Sequence, residues 1–286
     1  MARQLTLIEK LTYSTVRIEC RKTDGSGHTG SGFFYAFCHG ASGEHAPAIV
    51  TNKHVVEGAV EIDFVLTMMD GQGDPVADDL FRVRLGAREA PHMFHPSPDV
   101  DLCAIFIAPV LEKAKSMGER IFYQMLKDTL LPSPEELDDF SAMEDVLMIG
   151  YPIGLWDDTN NQPIIRRGVT ATHPALDFKG KKEFMIDCAC FPGSSGSPVF
   201  LYHTGMREKR GGGMFLGRVI IKLLGVLWGG PQHTTTGEIK VVPIPTHVPQ
   251  VPVSVTSIPT NLGYVIKAER LKDLEPVIRK AMKDQS

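Results

Sequence analysis

The sequence predicts a mainly β chain, interrupted once by a helical stretch and closed by an amphipathic helix. Three observations carry this. Twenty-seven glycines and twenty prolines lie scattered between short apolar runs, the texture of many turns between short strands. Residues 14–20 alternate strictly between apolar and polar, as a half-buried strand does. With 286 residues and 43% hydrophobic content, the chain can bury one large core or two small ones, which suits a pair of packed barrels.

In order along the chain, a Gly-rich turn follows the first strand, and residues 31–38 and 47–52 read as further strands. Gly25-Ser26-Gly27-His28-Thr29-Gly30 fits a G-x-G-x-x-G pattern, but the segment after it, Phe33-Phe34-Tyr35, is aromatic and strand-like. A dinucleotide site needs a helix N-terminus there to receive the pyrophosphate, so the pattern reads as a hairpin turn. Residues 59–67, 80–85 and 102–107 continue the strand pattern and complete a first unit, 1–108. From 109 to 140 apolar residues recur at helical spacing, and Ser133-Pro134-Glu135-Glu136 looks like a helix start, so this stretch reads as a helical connector. A second β unit spans 141–266, with strands near 146–149, 163–172, 183–188, 197–202 and 215–228. Pro243, Pro245, Pro249, Pro252 and Pro259 forbid a central strand or helix and mark a long surface loop. In the final segment, 267–286, Ala268, Leu271, Leu274, Val277, Ile278 and Met282 share one face, which predicts a helix packed on the body.

Composition excludes several classes. A formal net charge of −4 offers no global basic field for nucleic acid. The first ten residues lack an apolar run of signal-peptide length and no stretch is long enough to span a bilayer, so the expectation is a cytoplasmic protein without a membrane segment. Five cysteines, Cys20, Cys38, Cys103, Cys188 and Cys190, are an odd set without regular spacing and do not form a disulfide framework. Cys188-x-Cys190 has no second pair at zinc-site spacing, so neither a metal nor a cofactor is expected.

Three segments carry chemistry. Phe191-Pro192-Gly193-Ser194-Ser195-Gly196-Ser197-Pro198-Val199 places a serine in a tight Gly/Pro turn leading into an apolar strand. A hydroxyl is a poor nucleophile near neutral pH and needs a base, and the base needs a group to hold it. Thr51-Asn52-Lys53-His54-Val55-Val56 supplies a histidine, and Asp99-Val100-Asp101-Leu102-Cys103-Ala104 supplies a carboxylate. The chain order His, Asp, Ser differs from that of the α/β-hydrolases, and Ser197 stands where their G-x-S-x-G elbow has its last glycine.

These segments, with Gly30-Ser31-Gly32-Phe33, Gly150-Tyr151-Pro152-Ile153-Gly154, Asp187-Cys188-Ala189-Cys190 and Asn261-Leu262-Gly263-Tyr264-Val265-Ile266, resemble chymotrypsin-fold, trypsin-like serine peptidases. The likeness is greatest to the bacterial type similar to the HtrA/Deg protease domain, and it covers roughly residues 14 to 267. No segment resembling a PDZ domain is expected after it. The resemblance implies two antiparallel six-stranded β-barrels with the active site in the cleft between them. It implies a serine endopeptidase acting through an acyl-enzyme, with His54 and Asp101 contributed by the first barrel and Ser195 by the second. Asp101 abuts the apolar strand as the family motif requires; Asp99, two residues earlier, is the alternative orienting carboxylate. The amides of Gly193 and Ser195 are the implied oxyanion hole. His92, His95, His173 and His203 lack a companion motif and read as surface or loop residues.

Two departures matter. Digestive relatives carry an aspartate just before the nucleophile, which pairs with a freshly cut N-terminal amine; here that position is Ser194, so activity is expected without N-terminal proteolysis. Six residues before the nucleophile, where a trypsin-like enzyme has a carboxylate, stands Ala189. With Cys190, Leu227, Trp228 and Gly229 it predicts a pocket for a small or medium apolar P1 residue, unless Asp187 turns inward. The residues around 224–230 are expected to pair with an extended substrate, which makes unfolded segments or flexible loops the targets. The connector, the Pro-rich loop and the last helix are the candidate docking places for a regulatory protein partner. Two other readings compete: an inactive relative that binds extended peptides in the same cleft, and an esterase or acyltransferase using the same triad.

Overall fold

The computed structural model describes residues 4–39, 45–86, 90–209, 213–238 and 253–284. The first unit is an antiparallel sheet built from β1 (Thr15–Lys22), β2 (Gly27–Phe37), β3 (Ala46–Thr51), β4 (Ala59–Met69), β5 (Pro75–Gly86), β6 (His92–Phe94) and β7 (Cys103–Phe106), in the order β5-β4-β1-β2-β3-β7-β6. An eighth strand, β8 (Ile121–Phe122), pairs with β4. The second unit is a closed barrel of six strands, β9 (Asp145–Gly150), β10 (Ile164–Thr170), β11 (Glu183–Asp187), β12 (Pro198–Lys209), β13 (Gly213–Gly229) and β16 (Leu262–Lys267), in the cyclic order β10-β11-β16-β13-β12-β9. Strands β14 (Gln232–Glu238) and β15 (Val253–Pro259) form a separate ribbon. This is the two-unit chymotrypsin-like β architecture.

Local chemistry explains the elements that position the site. Helix α1 (Leu7–Thr12) starts at a capping box in which Thr6 and Glu9 satisfy each other's backbone amides. Strand β2 carries the Gly30-Ser31-Gly32 motif, and both glycines are needed for close packing. A Cβ at Gly30 would fall 2.5 Å from Cγ1 of Val55, and one at Gly32 would fall 2.6 Å from Cγ2 of Ile49. Gly30 thus lets the short helix α2 (Lys53–Val56), which bears His54, lie directly on the strand. The same placement of Gly27 to Gly30 inside β2 accounts for the G-x-G-x-x-G string as strand chemistry.

Three expectations are corrected in detail. The 109–140 connector is α-helical only toward its ends, in α3 (Ala108–Ser116) and α4 (Pro134–Asp138), with a short 3₁₀ turn at Asp128–Leu130 between them; Ile121 and Phe122 are drawn into the sheet by Met68 and Thr67 of β4. Residues 253–259 of the Pro-rich stretch form β15 rather than loop, because a ribbon with one partner leaves an edge where proline is tolerated; Pro243, Pro245, Pro249 and Pro252 lie outside the described residues. The final segment begins as a 3₁₀ turn, Ala268–Leu274, before helix α5 (Glu275–Asp284). Leu271, Leu274 and Ile278 are buried as expected, while Val277 and Met282 remain exposed.

That final segment packs into a core shared by both units, with Phe33, Tyr35 and Phe37 from the first and Ile149, Phe200, Val226 and Ile266 from the second. His95 belongs to this arrangement and is not a surface residue. Its side chain is fully buried, Nδ1 accepts from the Ser97 amide at 3.0 Å, and Nε2 lies 3.2 Å from Oδ2 of Asp273. His203 likewise pairs with the buried carboxylate of Glu144 at 2.5 Å.

Candidate active site

Antiparallel pairing of β3 with β7 sets Thr51 opposite Cys103, so the chain just beyond Thr51 runs beside the chain just before Cys103. That register brings His54 to Asp101. Nδ1 of His54 meets Oδ2 of Asp101 at 2.5 Å, and the His54 backbone N–H donates to Oδ1 at 3.0 Å. One carboxylate therefore grips both the ring and the backbone of the histidine, which fixes the tautomer with the proton on Nδ1 and leaves Nε2 as the acceptor. The Asp101 carbonyl accepts from Nδ2 of Asn52 at 2.7 Å, tying the two loops together a second time. The His54 side chain is 47% exposed and that of Asp101 24%. Asp99 lies in an exposed turn and makes no such contact.

The nucleophile turn is held at several points. The Gly196 amide donates to the Leu227 carbonyl at 2.8 Å and the Leu227 amide to the Ser197 carbonyl at 2.9 Å, which fastens the turn to β13. The Ser31 amide donates to the Ser195 carbonyl at 2.8 Å, and Oγ of Ser31 donates to the Gly193 carbonyl at 2.9 Å while accepting from the Tyr151 amide at 2.9 Å. Gly193 and Gly196 have φ of 84° and 87°, the left-handed region where a side chain is strained. A Cβ at Gly196 would lie 1.9 Å from the Ser31 carbonyl oxygen, and one at Gly193 would lie 2.7 Å from that of Tyr151.

These bonds aim the implied oxyanion donors. The Ile153 amide donates to the Pro192 carbonyl at 2.5 Å. In a trans peptide the following N–H points the opposite way, so the Gly193 N–H is turned away from the 152–154 loop. By the same geometry, the Ser194 carbonyl accepts from the Ser197 amide and the Ser195 N–H points to the other side. Among the described residues neither amide has a hydrogen-bond partner. Two N–H groups left unpaired beside a serine are donors open to an incoming oxygen. Oγ of Ser195 itself donates to the Trp228 carbonyl at 3.4 Å, not to His54.

The residues expected to line a pocket lie on the loop after β11 and at the end of β13. Ala189 and Cys190 are half-buried, and Asp187 is exposed between buried Ile186 and Cys188. A Cβ at Gly263 would lie 2.6 Å from both Sγ of Cys190 and Cδ1 of Leu227, so these two side chains close over the glycine. The Trp228 ring stacks on Tyr264 at 5.6 Å, and a Cβ at Gly229 would meet nothing within 4 Å. Burial raises the Cys190 thiol to about 12. All five cysteines are unpaired, and no group of three or more potential metal ligands occurs among the described residues.

Sequence reasoning passed over Arg166, which Nη1 joins to the Ser194 Oγ at 2.6 Å and to the Ala189 carbonyl at 2.9 Å. The signal was there: strand side chains alternate, so two consecutive arginines in β10 cannot both face water. Arg167 takes the outer side, 3.2 Å from Asp145.

Comparison with known proteins gives the family. The family described as Trypsin-like peptidase domain matches residues 30–206. No curated protein sequence matches the chain. Among solved structures, the protease Anisep from Arthrobacter nicotinovorans is 12% identical, with 93% of this chain and 95% of that one covered and a TM-score of 0.48. The active form of the Rv3671c protease from M. tuberculosis is 16% identical over 95% of this chain and 85% of that one, with a TM-score of 0.42. The HtrA-type protease AlgW with a tripeptide is 14% identical with a TM-score of 0.45; the match covers 96% of this chain but spans only 62% of that one.

Proposed function

We infer the function from one premise: this chain belongs to the family of trypsin-like peptidase domains, and it is a serine endopeptidase of the chymotrypsin fold. We propose that His54, Asp101 and Ser195 are its catalytic triad. The observation that carries this is the double contact of Asp101 with the ring and the amide of His54 on the first sheet, together with the Ser31 amide of that sheet holding the Ser195 carbonyl of the barrel.

The chemistry follows from the parts. A peptide carbonyl enters with its oxygen toward the Gly193 and Ser195 N–H groups. The Ser195 hydroxyl rotates from the Trp228 carbonyl toward Nε2 of His54, gives up its proton there and attacks the carbonyl carbon. Asp101 stabilises the imidazolium without taking the proton. Collapse of the tetrahedral species breaks the C–N bond, and Nε2–H protonates the departing amine. Water then adds to the acyl-enzyme by the same route, returning the proton to Ser195 and releasing the acid.

For specificity, we read Ala189, Cys190, Leu227, Trp228 and Gly229 as walls for a small or medium apolar P1 side chain. Ala189 stands where a trypsin-like enzyme has its carboxylate, so that position offers no charge to a basic side chain. Residues 227–230 are the edge on which an extended substrate would lie as an added strand. The division of labour is 1–108 for the base and its carboxylate, 109–140 for the connector, 141–266 for the nucleophile and 267–286 for the terminal clasp. A cytoplasmic setting accords with five unpaired cysteines; among the described residues no helix is long and apolar enough to cross a membrane.

The bond from Ser195 to Trp228 is the observation that favours the peptide-binding alternative, since the hydroxyl is not on the base. Labelling by a fluorophosphonate, lost in Ser195→Ala, separates the two. An unlabelled parent protein would leave only the binding reading standing. Profiling a peptide library then tests the pocket: cleavage after Ala, Val or Leu is expected, and dominant cleavage after Arg or Lys would overturn it.

A further inference from the structure

Arg166 is a buried charge in an apolar barrel. It lies opposite Met148 in the β9–β10 ladder and is 9% exposed. Nη1 is spoken for by the Ser194 Oγ and the Ala189 carbonyl, but Nε and Nη2 are buried without a hydrogen-bond partner among the described residues. The titratable groups acting most on it are the thiols of Cys188 and Cys190, not a carboxylate. A guanidinium that is desolvated and only partly satisfied costs stability, and a methionine or leucine would fill this interior better. A residue kept at such a cost points to a role beyond packing.

The role is legible from what Arg166 touches. Both acceptors belong to the 189–194 segment, whose end carries the amides of Gly193 and Ser195. Ser31 and Ile153 grip the same segment from the cleft side, at the Gly193 and Pro192 carbonyls. Arg166 grips it from inside the barrel. Without it the turn keeps its ties to Ser31, Ile153 and Leu227 but loses the one that reaches Ser194 and Ala189 from the barrel interior, beside the peptide planes that carry the two N–H groups.

Resting on the triad reading above, we propose that Arg166 is the positioning residue that keeps the oxyanion turn formed. It serves as a permanent internal cation where peptidases with an aspartate before the nucleophile rely on a newly cut N-terminal amine. Ser194 fits this assignment because a neutral hydroxyl accepts from a guanidinium already present in the strand and requires no new terminus.

The test uses the full-length, uncut protein and an apolar-P1 peptide substrate. Arg166→Met is expected to keep or raise the melting temperature, to leave KM within about threefold, and to lower kcat by about 100-fold or more, the loss typical of a mis-aimed oxyanion donor. A purely structural role would instead lower the melting temperature and spare kcat of the folded fraction. In Arg166→Ala, added guanidinium ion is expected to restore part of kcat. Folded Arg166→Met with kcat within twofold of the parent, or a loss confined to KM, overturns the proposal. Should Arg166→Met fail to fold, Ser194→Ala decides: about a tenfold fall in kcat is expected, and unchanged kcat overturns it. If the parent protein is not labelled by a fluorophosphonate, the hydrolase reading falls and takes this inference with it. If it is labelled and the variants are undiminished, this inference falls alone.

Discussion

The backbone amide of Ser31 donates to the backbone carbonyl of Ser195, so a strand of the first sheet holds the proposed nucleophile of the second barrel directly. The Ser31 hydroxyl adds the Gly193 carbonyl and the Tyr151 amide to the same grip. Ser31→Ala keeps the first bond and loses the other two. The cost is expected to be about 1 to 3 kcal/mol of stability, from buried groups left unpaired, with about a tenfold fall in kcat from a displaced Gly193. Thermal unfolding and steady-state kinetics check the two effects separately.

Asp101 acts on His54 through two atoms, and Asp101→Asn changes their chemistry without changing their shape. An amide at Oδ2 presents N–H to Nδ1 and favours the wrong tautomer. The variant is expected to fold normally and to lose about 10⁴-fold in kcat. Equal loss in Asp99→Asn would transfer the role to that residue.

Gly196→Ala forces a methyl to within 1.9 Å of the Ser31 carbonyl at a positive φ. The two units meet at this point, so the clash cannot be relieved by a flexible side chain. We expect a loss of at least ~2 kcal/mol, read as a lower melting temperature. Gly229→Ala, with open space around its Cβ direction, is the control and should leave stability unchanged.

Burial holds the Cys190 thiol up at about 12. The neutral form then dominates at pH 8, with a thiolate fraction of about one in ten thousand. Iodoacetamide is expected to leave activity intact in the folded protein at pH 8, with all five cysteines reacting after denaturation. Rapid inactivation under the same conditions would move the nucleophilic chemistry toward sulfur.

Leu271 and Leu274 are fully buried against both units. Replacing either with alanine is expected to cost about 2 to 5 kcal/mol. Val277→Ala, on the exposed side of α5, should cost far less. Denaturant unfolding distinguishes them.

Much of this was legible in the chain. The triad candidates could be found because a nucleophile, a base and an orienting acid are each marked by local strings, and Asp101 was separable from Asp99 by its place against the apolar strand. Long-range satisfaction was not legible. His95 has no motif around it, yet it is buried because Asp273, far along the sequence, meets its ring. Ile121 and Phe122 sit at helical spacing but are captured by an open edge of β4, so tertiary pairing overrides local periodicity. Arg166 escaped notice because its partners, a carbonyl and a hydroxyl, leave no charge pattern in the string.

The shared core under Leu271, Leu274 and Ile278 also bears on folding. The segment that fills it directly follows β16, the strand that closes the barrel, so barrel closure and docking of residues 268–278 involve adjacent stretches and are expected to occur together.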